Sequence, residues 1–141
     1  MTAKEYLSQA RTIDQRLNSK LEQAKSLRSL AEIATTALSL TPHSGTRNVS
    51  EREGIIVRML DLESGISADI NELMDIRQEI MEIIQRVPVV EHRTLLELRY
   101  ICGKSWDEIA AAMLCSIRYT HILHGAALNE VKKLRNATIS L

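Results

Sequence analysis

The sequence predicts an all-α fold, with a long N-terminal antiparallel helical hairpin followed by a compact three-helix unit. Two Pro and five Gly in 141 residues leave long stretches without a helix breaker. Apolar residues recur every three or four positions through most of residues 1–87, which is the period of a helix with one buried stripe. Three Ser/Thr-x-x-Glu spacings, Thr2–Glu5, Ser50–Glu53 and Ser105–Glu108, mark helix starts. Aromatic residues are limited to Tyr6, Tyr100, Trp106 and Tyr119, so any core must be Leu, Ile, Met, Val and Ala.

The first helix is expected from the third residue. Its stripe reads Tyr6, Ala10, Ile13, Leu17, Leu21, Ala24, Leu27, Ala31, Ala34 and Leu38, narrow enough for helix-on-helix packing. A loop over 41–50 should follow, because Pro42 and Gly45 break the helix and Ser, Thr and Asn favour turns. His43 and Arg47 in that loop read as solvated rather than phosphate-binding. A second helix is expected after Ser50, with Ile55 or Ile56, Met59, Leu62, Ile66, Ile70, Leu73, Ile76, Ile80, Ile83 and Val87 as its stripe. That spacing is close to the heptad value, and Gly65 inside it is a candidate bend. Pro88 opens a new element. The domain division expected is therefore 1–87, a hairpin for oligomerisation or partner binding, and 88–141.

Composition narrows the function classes. The net charge is zero, yet residues 1–50 carry seven basic against four acidic side chains and 51–87 carry four against nine. Opposite signs suit two helices lying side by side. Residues 88–141 carry seven against five, with three of the four histidines. This balance excludes a strongly electrostatic, non-specific nucleic-acid binder and permits a modestly basic head. Two cysteines, Cys102 and Cys115, make no disulfide framework, and no apolar run suits a signal peptide or a membrane span. A cytoplasmic protein with no membrane partner is expected. The carboxylates of the second helix fall around a polar face without a histidine or a glycine-rich loop, and Cys102, Cys115, His121 and His124 match no zinc spacing. No catalytic residue, cofactor or metal is expected, and the chain does not read as an enzyme.

The C-terminal third is the informative stretch. Leu95, Leu98, Ile101 and Cys102 share a face of a first short helix, and Gly103 stops it. Ser105 caps a second helix, with Trp106, Ile109, Ala110 and Met113 on its apolar side. Leu114-Cys115-Ser116 forms the turn, and Ser116 caps a third helix. Thr120, Leu123, Ala127, Leu128, Val131 and Leu134 face inward from that helix. Ile117, Arg118, Tyr119, His121, Ile122 and His124 are left outside. Two short helices joined by a tight turn are the pattern of a helix-turn-helix, which lays its second helix in a DNA major groove. Lys132, Lys133 and Arg135 either touch phosphate or complement the macrodipole of the last helix.

Leu98-Arg99-Tyr100, Gly103-Lys104-Ser105-Trp106-Asp107-Glu108-Ile109-Ala110 and Leu123-His124-Gly125-Ala126-Ala127-Leu128 resemble region 4 of bacterial sigma factors. With its long helical N-terminal part, the chain resembles phage-encoded sigma-70 region 4-like proteins, including late-transcription regulators of the ArpU type. The resemblance implies a helix-turn-helix unit whose third helix reads promoter DNA beside RNA polymerase. It assigns DNA contacts to Ile117, Arg118, Tyr119, His121 and Ile122, and brings Lys104 and Ser116 to the phosphates. The partners implied are double-stranded DNA and RNA polymerase, with a homodimer expected because a lone domain of this size reads only a short site. Where the family's turn carries glycine this chain has Leu114, which must then accept an unusual backbone conformation or alter the turn. Two other classes join similar parts: a phage DNA-packaging component of the small terminase kind, and a helical interaction module whose helix-turn-helix no longer binds DNA.

Overall fold

The structure, a computed structural model, describes residues 1–40 and 45–139, with the side chains of 1–37 and 49–138. It is all-helical over those residues, with five α-helices and no strand. They are α1 (Ala3–Leu40), α2 (Gly45–Gln85), α3 (Val90–Leu96), α4 (Trp106–Ala112) and α5 (Ile117–Ile139), and a π-helical turn (Glu97–Ile101) continues α3. No described helix is long and apolar enough to cross a membrane.

Local chemistry explains most boundaries. At the start of α1, Glu5 N–H donates to Thr2 Oγ1 at 3.1 Å and Thr2 N–H donates to the Glu5 carboxylate at 3.0 Å, a complete capping box. The corresponding pair Ser50–Glu53 does not begin a helix, because α2 already runs from Gly45. The loop expected over 41–50 is corrected accordingly: a cap stabilises a helix start but does not forbid propagation through residues of ordinary propensity. Residues 41–44, with His43, lie outside the described residues, as does the side chain of Arg47. α2 passes through Gly65 without interruption. It ends as Val87 N–H reaches back to the Ile84 carbonyl, and Pro88 separates it from α3. Arg93 then donates from Nε and Nη2 to the Val87 carbonyl at 3.1 and 3.0 Å, tying α3 to that bend.

The chain divides into two compact units, one of Met1–Asp14 with Met74–Leu141 and one of Gln15–Leu73. The first holds almost all of the buried apolar residues. Leu7, Ile80, Ile84, Val87, Leu95, Leu96, Ile109 and Val131 are fully buried in it. α5 packs against both α3 and α4, so the C-terminal helices close on one another. Tyr6 is buried, donates to Glu79 Oε1 of α2 at 3.2 Å, and lies 4.3 Å beneath the guanidinium of Arg135 from α5. Burial and the adjacent Glu79 carboxylate push the Tyr6 phenol well above its usual range. Asp14 accepts from Arg77 Nε at 2.7 Å.

In the second unit, Lys20 pairs with Asp69 at 3.0 Å and Arg28 with Glu63 at 2.7 Å, so basic α1 meets acidic α2. Both pairs are partly exposed, and such pairs contribute about 0–1 kcal/mol. Among the described residues of this unit Leu73 alone is buried. Leu17, Leu27, Met59, Ile66 and Ile70 of the expected stripes are half-buried. Leu21 and Leu62, also assigned to the stripes, are exposed instead.

Candidate nucleic-acid interface

The site rests on a register shift in the helix before it. Within the π-helical turn, Cys102 N–H bonds to the Glu97 carbonyl at 2.9 Å, five residues back rather than four. One extra residue per turn rotates the following positions around the axis. Leu95, Leu96 and Tyr100 are therefore the buried residues, whereas Leu98 and Ile101 are half-buried and Cys102 is exposed. The expected shared face of Leu95, Leu98, Ile101 and Cys102 is corrected for that reason. Gly103 stops the segment with φ +70°, and its freedom in the left-handed region allows Lys104 N–H to close onto the Leu98 carbonyl at 2.9 Å.

Ser105 is the N-cap of α4, its Oγ accepting from Glu108 N–H at 3.2 Å. Ile109 and Ala110 are buried from α4, and Trp106 and Met113 are half-buried. The turn closes as Met113 N–H bonds to the Ile109 carbonyl at 2.9 Å and Cys115 N–H to the Ala110 carbonyl at 3.0 Å. The second bond goes with a left-handed residue at Leu114, whose φ is 55°, and its side chain is 93% exposed. Of the two outcomes open to a leucine there, the unusual backbone is the one realised. Ser116 then caps α5, its Oγ accepting from Tyr119 N–H at 3.1 Å, while its carbonyl accepts from Thr120 N–H at 3.0 Å and from Thr120 Oγ1 at 2.9 Å.

Six of the seven residues assigned to DNA fall together at the N-cap and on the first two turns of α5. Ser116, Ile117, Arg118, Tyr119, His121 and Ile122 are all exposed, opposite the buried side made by Thr120, Leu123, Ala127 and Val131. No carboxylate among the described residues pairs with Arg118. Lys104 stands before α4 rather than on α5. It too is exposed, with Nζ 3.8 Å from Glu108 Oε2.

His124 is corrected from the outside to the inside. It is 7% exposed, its Nε2 lies 2.7 Å from Tyr100 Oη in a hydrogen bond, and Trp106 meets it edge-on at 4.7 Å. Burial holds its pKa down to about 4, and the nearby Lys4, His121 and Arg99 add to the effect. Trp106 also contacts the His121 ring at 4.5 Å and carries the Arg99 guanidinium over its face at 4.5 Å. Trp106 therefore links the segment before the turn to the exposed side of α5 and orients His121.

Charge on the outer side of α5 is one-signed. The sole carboxylate in its sequence, Glu130, faces His92, with Oε1 3.0 Å from Nδ1. Lys132 and Lys133 are exposed, whereas Arg135 is half-buried over Tyr6 and is withdrawn from the phosphate-facing set. Sequence reasoning gave no outward role to Gly125 and Asn129, which continue the outward row from Arg118 and Ile122 at intervals of three or four. That period was available to find them. Among the described residues no group of three or more His, Cys, Asp and Glu side chains gathers in a metal-holding arrangement, and both cysteines are free thiols. No protein-family model, curated protein or solved structure matches the chain.

Proposed function

We propose that the chain is a DNA-binding transcription regulator of phage type, with α4 and α5 as the helix-turn-helix and α5 as the recognition helix. One observation carries this reading: the first two turns of a well-capped 23-residue helix stand open after a tight turn, with Arg118 unpaired among the described residues and no carboxylate on their outer side. Arg118 is the residue suited to a guanine edge. Lys104, Lys132 and Lys133 supply phosphate contacts, and the backbone N–H groups at the head of α5 add to them. RNA polymerase is the second partner, met beside the DNA face.

α1 and α2 form an antiparallel hairpin in this proposal. The pairings Lys20–Asp69 and Arg28–Glu63 support it, since α2 numbers fall as α1 numbers rise. Self-association of the hairpin gives a dimer. Scant burial in the Gln15–Leu73 unit supports that, because two helices alone leave most of their apolar surface in water.

Selection of duplexes from a random DNA pool tests the reading. The wild type is expected to enrich a short motif, and Arg118→Ala is expected to lose preference at one base pair with a cost of about 1–3 kcal/mol. Lys132→Ala with Lys133→Ala should weaken binding across all sequences and flatten the salt dependence by about two in slope. A wild type that enriches nothing overturns the proposal. A second reading, a protein-docking surface in place of DNA, is favoured by the exposure of Leu114, Ile117, Tyr119 and Ile122. Salt-insensitive or absent DNA retention selects it.

A further inference from the structure

The outward side of α5 is unusual in placing branched apolar side chains where a reading helix most often presents polar ones. Ile117 and Ile122 are 47% and 59% exposed, on either side of Arg118 around the helix. Arg118 and Ile122 are an i, i+4 pair, and Gly125 follows Ile122 at i+3. A Cβ added at Gly125 would meet nothing within 4 Å among the described residues, so the helix is open at that position. The cations Arg118, Lys132 and Lys133 are exposed on this helix, and the carboxylate of Glu130 is held by His92. The surface is positive with an apolar centre.

Among the groups a base pair presents in the major groove, one is apolar, the C5-methyl of thymine, and the rest are hydrogen-bond donors and acceptors. An isoleucine pressed against donors or acceptors would leave them unpaired, whereas against a methyl it removes apolar area from water at no polar cost. Resting on the DNA-binding reading above, we infer that Ile122 is a specificity-determining residue that reads a thymine methyl within two base steps of the guanine read by Arg118. Gly125, without a side chain, lets the helix backbone approach the groove beyond that contact.

Deoxyuridine, which lacks the C5-methyl, provides the test. Each thymine of the duplex enriched by the wild type is replaced in turn, and binding is measured for the wild type and for Ile122→Ala. One or two replacements should weaken the wild type about fourfold each, the value of one apolar carbon. Ile122→Ala, with unchanged helical circular dichroism, should bind the thymine and uracil duplexes equally at the matching step. An enriched, Arg118-dependent motif that the wild type binds as well with uracil as with thymine overturns this inference and leaves the DNA-binding reading intact, as does an Ile122→Ala variant that keeps full thymine preference. A wild type that enriches no motif overturns both. Should Ile122→Ala fail to fold, the wild-type uracil series decides alone.

Discussion

Leu114 is the only non-glycine residue with positive φ among the described residues, and its side chain stands almost wholly in water. A left-handed leucine costs roughly 1–2 kcal/mol that glycine does not incur, and there is no packing to lose. Leu114→Gly is therefore expected to stabilise the protein by about 1 kcal/mol after the greater chain entropy of glycine is counted, seen as a rise of several degrees in Tm. An unchanged or lower Tm would mean that the exposed leucine does something besides form the turn. His124 carries the second residue-scale prediction. In the unfolded chain its imidazole titrates near 6.5, whereas the buried ring resists protonation down to about 4. Between those values the unfolded state binds a proton that the folded state refuses, so stability falls as pH falls through the window and is level above it. Thermal melts from pH 7.5 to 4 should show this decline, and His124→Gln should flatten it. Parallel profiles for the two proteins would remove His124 from the acid response.

At the scale of elements, helix continuity is more robust than the breakers suggest. α2 runs through Gly65, which is exposed, and a Cβ there would meet nothing within 4 Å among the described residues. Gly65→Ala is accordingly expected to gain about 1 kcal/mol from helix propensity, with a stronger helical signal and a higher Tm. A loss would show that the glycine serves an approach by another surface. The π-helical turn works the other way. Its single extra residue brings Tyr100, five positions on, rather than Arg99, four positions on, round to the side of Leu95, and Tyr100 meets His124 there. Removing that hydrogen bond by Tyr100→Phe should cost about 1 kcal/mol, measured by denaturant unfolding.

For the whole molecule, burial is concentrated in one of the two compact units. The Gln15–Leu73 unit leaves Leu30 and Ile33 at 65% and 67% exposure, three residues apart on α1. In the proposed dimer such residues are the ones to be covered. The wild type should sediment as a dimer, and Leu30→Glu with Ile33→Glu should shift it to monomer while the DNA half-site preference stays the same. A monomeric wild type, or a variant that remains dimeric, would move the dimer contact elsewhere. Each monomer would retain Arg118 and Ile122, so the variant separates assembly from reading.

The sequence alone determined the features set by neighbours three or four residues away: the helical class, the Thr2 and Ser105 caps, the Gly103 stop, and the Ser116 cap that opens α5. Such relations need only local backbone geometry and short side chains. The seclusion of His124, the half-burial of Arg135 over Tyr6 and the inward turn of Tyr100 were decided by tertiary structure. A helical period places a residue only to within about one position around the axis, and residues at the edge of a stripe go in or out according to what a distant segment offers. His124 is such a residue. Tyr100 and Trp106, each on another element, supply the hydrogen bond and the ring that draw it inside.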